Sequence, residues 1–256
     1  MSCKITEALQ NASKLPYTNA AIVYHAAGEV PDPRMGGSCL DKLHHLGREL
    51  SFSGIQTQFI NTDVSPTLRH YAARVESERG DLYLDPLIFQ AEPLNLNLPP
   101  GSRASTLVLS GQVELDESIH ADCFGVSFIR TRNQGENTRV ISYQFESSGK
   151  NEQLPHPSLI EVRHGLPAFQ LQIPDPEDGI LFKAMFLKAT NTFGDIWKQQ
   201  PDGSRVRIKD SQAQNNERRS ALGRIADLVG MKSREIVDYF IVAAEIERKL
   251  PTSIRD

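Results

Sequence analysis

Hydrophobic positions change period twice along the chain. Residues 4–13 carry a helical pattern and are followed by a polar, proline-marked stretch, Val30-Pro31-Asp32-Pro33-Arg34-Met35-Gly36-Gly37-Ser38. Cys39, Leu43, Leu46 and Leu50 then recur at alternating steps of four and three, one face of a helix. Ser38 stands immediately before this face as an N-cap, and Gly54 follows Phe52 as a stop, so a helix is predicted from Cys39 to about Phe52. From residue 55 the pattern becomes strand-like. Strands are predicted over 54–60, 69–76 and 82–85, with a turn at Arg79-Gly80-Asp81 and with Pro86 ending the pairing. Four more, over 104–115, 123–130, 138–146 and 168–173, are separated by Gly, Asn and Pro clusters and imply an antiparallel sheet or barrel. The stretch 180–200 carries no decisive period. Pro201-Asp202-Gly203-Ser204 reads as a turn, 205–208 as a short strand, and 218–229 and 233–249 as helices split at Gly230. The fold class is α+β, with helices at both ends and strands between. Its expected parts are a helical segment over 1–60, an antiparallel β domain over 61–175, and an α/β lid with the C-terminal helices over 176–256.

Composition narrows the function classes. With 28 Lys and Arg against 32 Asp and Glu, the net charge is −4, which disfavours a protein that coats nucleic acid or an anionic membrane. The 3 cysteines, Cys3, Cys39 and Cys123, are too few for a disulfide framework. There is no apolar run of signal-peptide length at the start and no membrane-span pattern. The expectation is a cytoplasmic protein with reduced thiols.

The Gly36-Gly37-Ser38-Cys39 junction carries the clearest chemistry. A thiol in the first turn of a helix faces backbone N–H groups and the positive end of the macrodipole, both of which favour the thiolate. A cysteine nucleophile needs a histidine base, and the histidine needs an orienting carboxylate. His70 lies in a strand pattern after Cys39, and Asp85 lies near the end of the next strand, where both side chains can reach one end of a sheet. The plain alternatives are a buried cysteine, an ordinary strand histidine and a turn aspartate before Pro86. His44 and His45 are adjacent and diverge on a helix, while His25, His120, His156 and His164 sit in polar or loop settings and read as exposed. No Cys-x-x-Cys or His-x-x-x-His spacing supports a metal, and no phosphate-binding glycine motif is present. Residues 224–237 have the pattern of a helix-turn-helix, but Asp238, Glu245 and Glu247 make a poor face for phosphate.

Arg34-Met35-Gly36-Gly37-Ser38-Cys39 resembles the Arg-x-Gly-Gly-x-Cys signature of the arylamine N-acetyltransferases, and the separation of His70 from Asp85 resembles that family's His-to-Asp spacing. Weaker likenesses continue through Leu40–Ile60, Glu92-Pro93-Leu94-Asn95-Leu96, Tyr143-Gln144-Phe145, Asn191-Thr192-Phe193 and Pro201–Val206, so that residues 30–210 are covered. The resemblance implies a Cys-His-Asp triad of Cys39, His70 and Asp85. In it an acyl thioester acylates the cysteine and an amine then takes the acyl group. It also implies acyl-CoA or an acyl carrier protein as co-substrate, with no permanently bound cofactor, and a small-molecule amine as acceptor.

The chain departs from the family pattern at Ser38, Asp41 and Leu43, and has Pro86-Leu87-Ile88-Phe89 where the family has a Val-Gly-aromatic-Gly run. That last change falls where the family shapes its acyl and cofactor pocket, so the donor acyl group is acetyl or larger, a specialised member taking a larger group from CoA or a carrier protein being one reading. Gly80-Asp81-Leu82-Tyr83-Leu84-Asp85-Pro86 also resembles the strand before the triad aspartate of transglutaminase-like cysteine amidases and proteases, the alternative reading. Arg130, Thr131, Arg132 and Arg139 are candidate contacts for a donor phosphate, and Phe89 and Phe193 candidate walls of an acyl pocket.

Overall fold

In chain order the elements are α1 (Ser2–Lys14), β1 (Tyr17–Thr18), α2 (Ala20–Ala26), α3 (Cys39–Phe52), β2 (Gln58–Ser65), β3 (Leu68–Ser77), β4 (Gly80–Leu84) and β5 (Leu94–Asn95). They continue as β6 (Ser105–Val108), β7 (Gly111–His120), β8 (Cys123–Arg132), β9 (Asn137–Glu146), β10 (Ala168–Asp175), β11 (Ile180–Leu187), β12 (Thr192–Gln199), β13 (Arg205–Ile208), α4 (Asn215–Val229) and α5 (Ser233–Lys249). The computed structural model describes residues 2–251 except 66–67, 79, 98–104, 109–110, 121–122, 133–136, 147–153, 157–165 and 201–203. For 62–65, 68–69 and the strands between 105 and 146 it describes the backbone alone.

The chain forms two compact units from discontinuous segments. The first comprises Met1–Lys14, Lys42–Leu154 and Gln200–Arg205, and the second Leu15–Asp41, Pro155–Gln199 and Val206–Asp256. The boundary falls within α3, whose residues 39–41 belong to the second unit and the remainder to the first.

The first unit holds two four-stranded antiparallel sheets, ordered β2-β3-β4-β5 and β6-β7-β8-β9. The described strands form open sheets, with no closed barrel among them. Leu43, Leu46 and Leu50 are fully buried, as the helical face requires. The helix stops because Gly54 takes a positive φ of 73° and lets the Ile55 N–H bond back to the Leu50 carbonyl at 2.9 Å. Ile5, Leu9 and Ala12 bury the matching face of α1. The helix is fixed to the segment after Asp85 by Ser13 Oγ donating to the Gln90 carbonyl at 2.8 Å. One strand predicted over 104–115 is instead a pair: β6 and β7 are antiparallel neighbours with Val108 opposite Gly111.

The second unit is a five-stranded sheet ordered β1-β10-β11-β12-β13, with α2, α4 and α5. The stretch without a decisive period is the hairpin β11–β12, with Asn191 left-handed at φ 52° in its turn. Phe240 of α5 is the hub of the core. Its ring centroid lies 5.1 Å from that of Phe186, 5.5 Å from Phe193 and 6.1 Å from Phe169. Phe193 is thus a core residue here. Tyr24 of α2 stacks on Tyr239 at 4.8 Å, and its hydroxyl donates to the Tyr239 carbonyl at 2.8 Å. Arg224 of α4 clamps the buried Asp175 with two bonds of 2.7 and 2.9 Å, which hold that carboxyl below the usual carboxylate range. Ile225, Val229, Ile236 and Phe240, around the break at Gly230, are buried in this core.

Candidate active site

Cys39 is the first residue of α3, half-buried and not in a disulfide. Its approach is built from backbone. Gly36 has φ 69° and ψ −133°, a conformation open to glycine, and a Cβ there would lie 1.9 Å from the Pro16 carbonyl oxygen. Without that side chain, the Gly37 N–H reaches the Pro16 carbonyl at 3.3 Å and the Thr18 N–H reaches the Gly37 carbonyl at 3.0 Å. Tyr17 and Gly37 form a parallel bridge, while Tyr17 and Thr18 pair with β10, so the turn before the thiol is tied into the sheet of the second unit.

Ser38 caps α3 as its sequence position predicts, and Asp41 completes a capping box. The Ser38 N–H and hydroxyl each donate to Asp41 Oδ2 at 2.7 Å, and the Asp41 N–H reaches Ser38 Oγ at 3.4 Å. Asp41 Oδ1 also holds His25 Nε2 at 2.8 Å. The expectation of an exposed His25 is therefore corrected. It lies on α2, only 14% exposed at its side chain, because Asp41 draws it in. The neighbouring Tyr17 phenol is pushed far above its ordinary value, first by burial and then by Cys39.

In the first unit His70 and Asp85 form a buried pair with Nε2 and Oδ2 2.7 Å apart, His70 5% exposed and Asp85 fully buried. The sheet register brings them together. Ala73 of β3 lies opposite Leu84 of β4, so one step further Asp85 faces the Ala72 position, and His70 is the next residue along that face. The other Asp85 contacts fix its carboxylate. Oδ2 also accepts from the Tyr83 hydroxyl at 3.0 Å, and Oδ1 from the Leu87 N–H at 3.0 Å. The Asp85 N–H donates to Gln90 Oε1 at 2.6 Å, and Gln90 Nε2 donates to the carbonyls of Tyr83 and Glu92 at 3.2 and 2.7 Å. Pro86 ends β4 and opens the 3-10 turn Pro86–Ile88, after which Phe89 is left-handed at φ 58°.

Of the residues around the site, Asp41, Lys42, Tyr83 and Gln90 are given no role by the sequence patterns above. Ser38 and Asp41 have capping-box spacing, and Tyr83 and Asp85 share a strand face, so both pairs carried a signal. Lys42 lies on the apolar face of α3 with Leu46, where a lysine is out of place. It is fully buried. Gln90 left no comparable trace. The side chains of Arg130, Thr131, Arg132 and Arg139, like those of His120 and Cys123, lie outside the described residues, as does His164 altogether. Among the described residues no cluster of His, Cys, Asp and Glu is arranged to hold a metal ion, and no helix is long and apolar enough to cross a membrane.

The chain has the fold of the arylamine N-acetyltransferases. It is similar to the M. smegmatis arylamine N-acetyl transferase, with a TM-score of 0.59 and 15% identity, over 95% of this chain and 91% of that one. The Nocardia farcinica arylamine N-acetyltransferase aligns with a TM-score of 0.60 and 13% identity, over 91% and 84% of the two chains. A Bacillus cereus arylamine N-acetyltransferase described as having a Cys-His-Glu catalytic triad aligns with a TM-score of 0.52 and 11% identity, over 82% and 87%. No protein-family profile and no curated protein sequence matches the chain.

Proposed function

We propose that the protein is an N-acyltransferase in which Cys39, His70 and Asp85 act as a catalytic triad. The observation that carries this reading is the buried 2.7 Å bond between His70 and Asp85, in a fold shared with arylamine N-acetyltransferases. His70 takes the Cys39 proton, and the thiolate attacks the carbonyl carbon of an acyl thioester. The donor's sulfur leaves and takes a proton from His70. An amine then attacks the Cys39 thioester, gives its proton to His70 and becomes an amide as the Cys39 thiolate departs. Asp85 keeps the imidazole oriented through both steps. Backbone N–H groups in the first turn of α3 stabilise the tetrahedral oxyanion.

The donor is acyl-CoA or an acyl carrier protein, and the acceptor is a small-molecule amine; nucleic acid and membrane have no part in the reaction. The Pro86–Phe89 segment favours an acyl group larger than acetyl. A reduced nucleophilic thiol suits the cytoplasm.

Incubation with a panel of acyl-CoA thioesters, followed by intact-mass measurement with a Cys39→Ser control, tests the reading. The expected result is a gain of one acyl group that is absent from the control and is discharged by amines. An acyl group lost to water alone, unaffected by amines, marks a transglutaminase-like amidase instead. An unacylated protein with every donor, carrier-protein thioesters included, overturns the transferase.

A further inference from the structure

Lys42 is fully buried on α3. Its Nζ donates to the Ser13 carbonyl of α1 at 3.3 Å and stands 4.0 Å from the centroid of the Phe89 ring. A lysine usually carries its ammonium out to water along its flexible stem, and a buried charge is costly unless paired. Packing alone would be served at this position by leucine or methionine. The ring below it is supplied by a non-glycine residue in the left-handed region, a conformation that costs energy wherever it is kept. Burial pulls the ammonium down to about 7, and the field of Asp85 opposes that pull. Geometry places Lys42 against the turn that Asp85 opens: Asp85 Oδ1 caps Pro86–Ile88, Phe89 follows that turn beneath the ammonium, and Ser13, whose carbonyl accepts from the ammonium, bonds the Gln90 carbonyl through its hydroxyl.

We propose that Lys42 is a positioning residue of the candidate active site, its ammonium serving as the buried counter-charge to the Asp85 carboxylate that orients His70. The inference deepens the acyltransferase reading and rests on it for its functional consequence. With the counter-charge in place, Asp85 accepts from Leu87, Tyr83 and His70 without being the lone charge in a dry interior. Removing it takes a positive charge from the turn that holds the Asp85 carboxylate and so loosens the group that orients His70.

Two measurements test this. The Lys42 Nζ titration is followed by 15N NMR in the wild-type chain and in Asp85→Asn. The expected result is a fall of about one pH unit or more in the Lys42 midpoint when the carboxylate is removed. An unchanged midpoint overturns the pairing. This arm needs no acyl substrate, so it stands even if the chain transfers no acyl group.

In the second arm Lys42→Met loses about ten-fold or more in kcat with little change in KM, and Lys42→Arg recovers part of the loss. A space-filling role gives the opposite, since methionine matches the stem and arginine does not. A Lys42→Met protein with wild-type kcat overturns the positioning role. Thermal melting reports whether that variant folds, and Lys42→Gln carries the same comparison if it does not.

Discussion

The side chain of Asp41 fills the space in which a Cβ on Gly37 would lie, with the two Cβ positions only 2.3 Å apart. The second glycine before Cys39 is therefore spent on the carboxylate that caps α3 and holds His25. Gly37→Ala should destabilise the protein by about 2 kcal/mol or more, as overpacking against a fixed neighbour does. Because the Asp41 Cγ and Oδ2 each lie 2.7 Å from that position but the Cβ is nearest, Asp41→Ala should relieve the conflict only in part and Asp41→Gly should relieve more of it. Urea midpoints of the single and double variants check both statements.

Gly36→Ala should be worse. It combines a left-handed backbone with a Cβ set 1.9 Å from the Pro16 carbonyl oxygen, so about 3 kcal/mol or more is expected. The same substitution at Gly223, within α4, meets nothing within 4 Å and should stabilise by about 0.5–1 kcal/mol through helix propensity. Thermal unfolding of the pair separates a glycine the turn requires from one it does not.

Asp85→Asn should slow acyl transfer about 10³ to 10⁴-fold, the scale seen when an orienting carboxylate becomes an amide. It should also cost about 1–3 kcal/mol of stability. Oδ1 accepts from Leu87 and Oδ2 from Tyr83 and His70, so the amide NH2 faces a donor in either orientation. Single-turnover rates and denaturant melts read the two effects.

Lys42 also predicts a pH dependence of folding. It releases its proton near pH 7 when folded and near 10.5 when unfolded. Between those values the unfolded chain binds the extra proton, so stability contributed at this position rises with pH, by at most about 1.4 kcal/mol per unit. Below pH 7 the contribution is flat. The stability of the wild type relative to Lys42→Met should therefore climb from pH 7 to 10, as measured by urea unfolding across that range.

How far the sequence discloses this molecule depends on how local the signal is. The Cys39 helix was legible from start to stop, because its cap, apolar face and terminal glycine are all local. The partnership of His70 with Asp85 was legible because a hairpin turns sequence spacing into spatial register. The short helix α2 and the hairpin β11–β12 were not placed. Seven residues at α2 are too few to show a period, and β11 buries two successive residues, Leu181 and Phe182, so simple alternation fails. Spacing along α3 marks Lys42 as out of place on an apolar face, but what it meets comes from α1 and Phe89, partners that this spacing cannot reveal.

The pairing of β1 with β10, and of Tyr24 with Tyr239 across 215 residues of chain, has a consequence for synthesis. The Cys39 segment leaves the ribosome early, yet the strand and helix that anchor its turn are made much later. The local cap of α3 can form at once, but the turn before Cys39 is tied into its sheet only when β10 is available, so a product ending before β10 holds that turn unanchored.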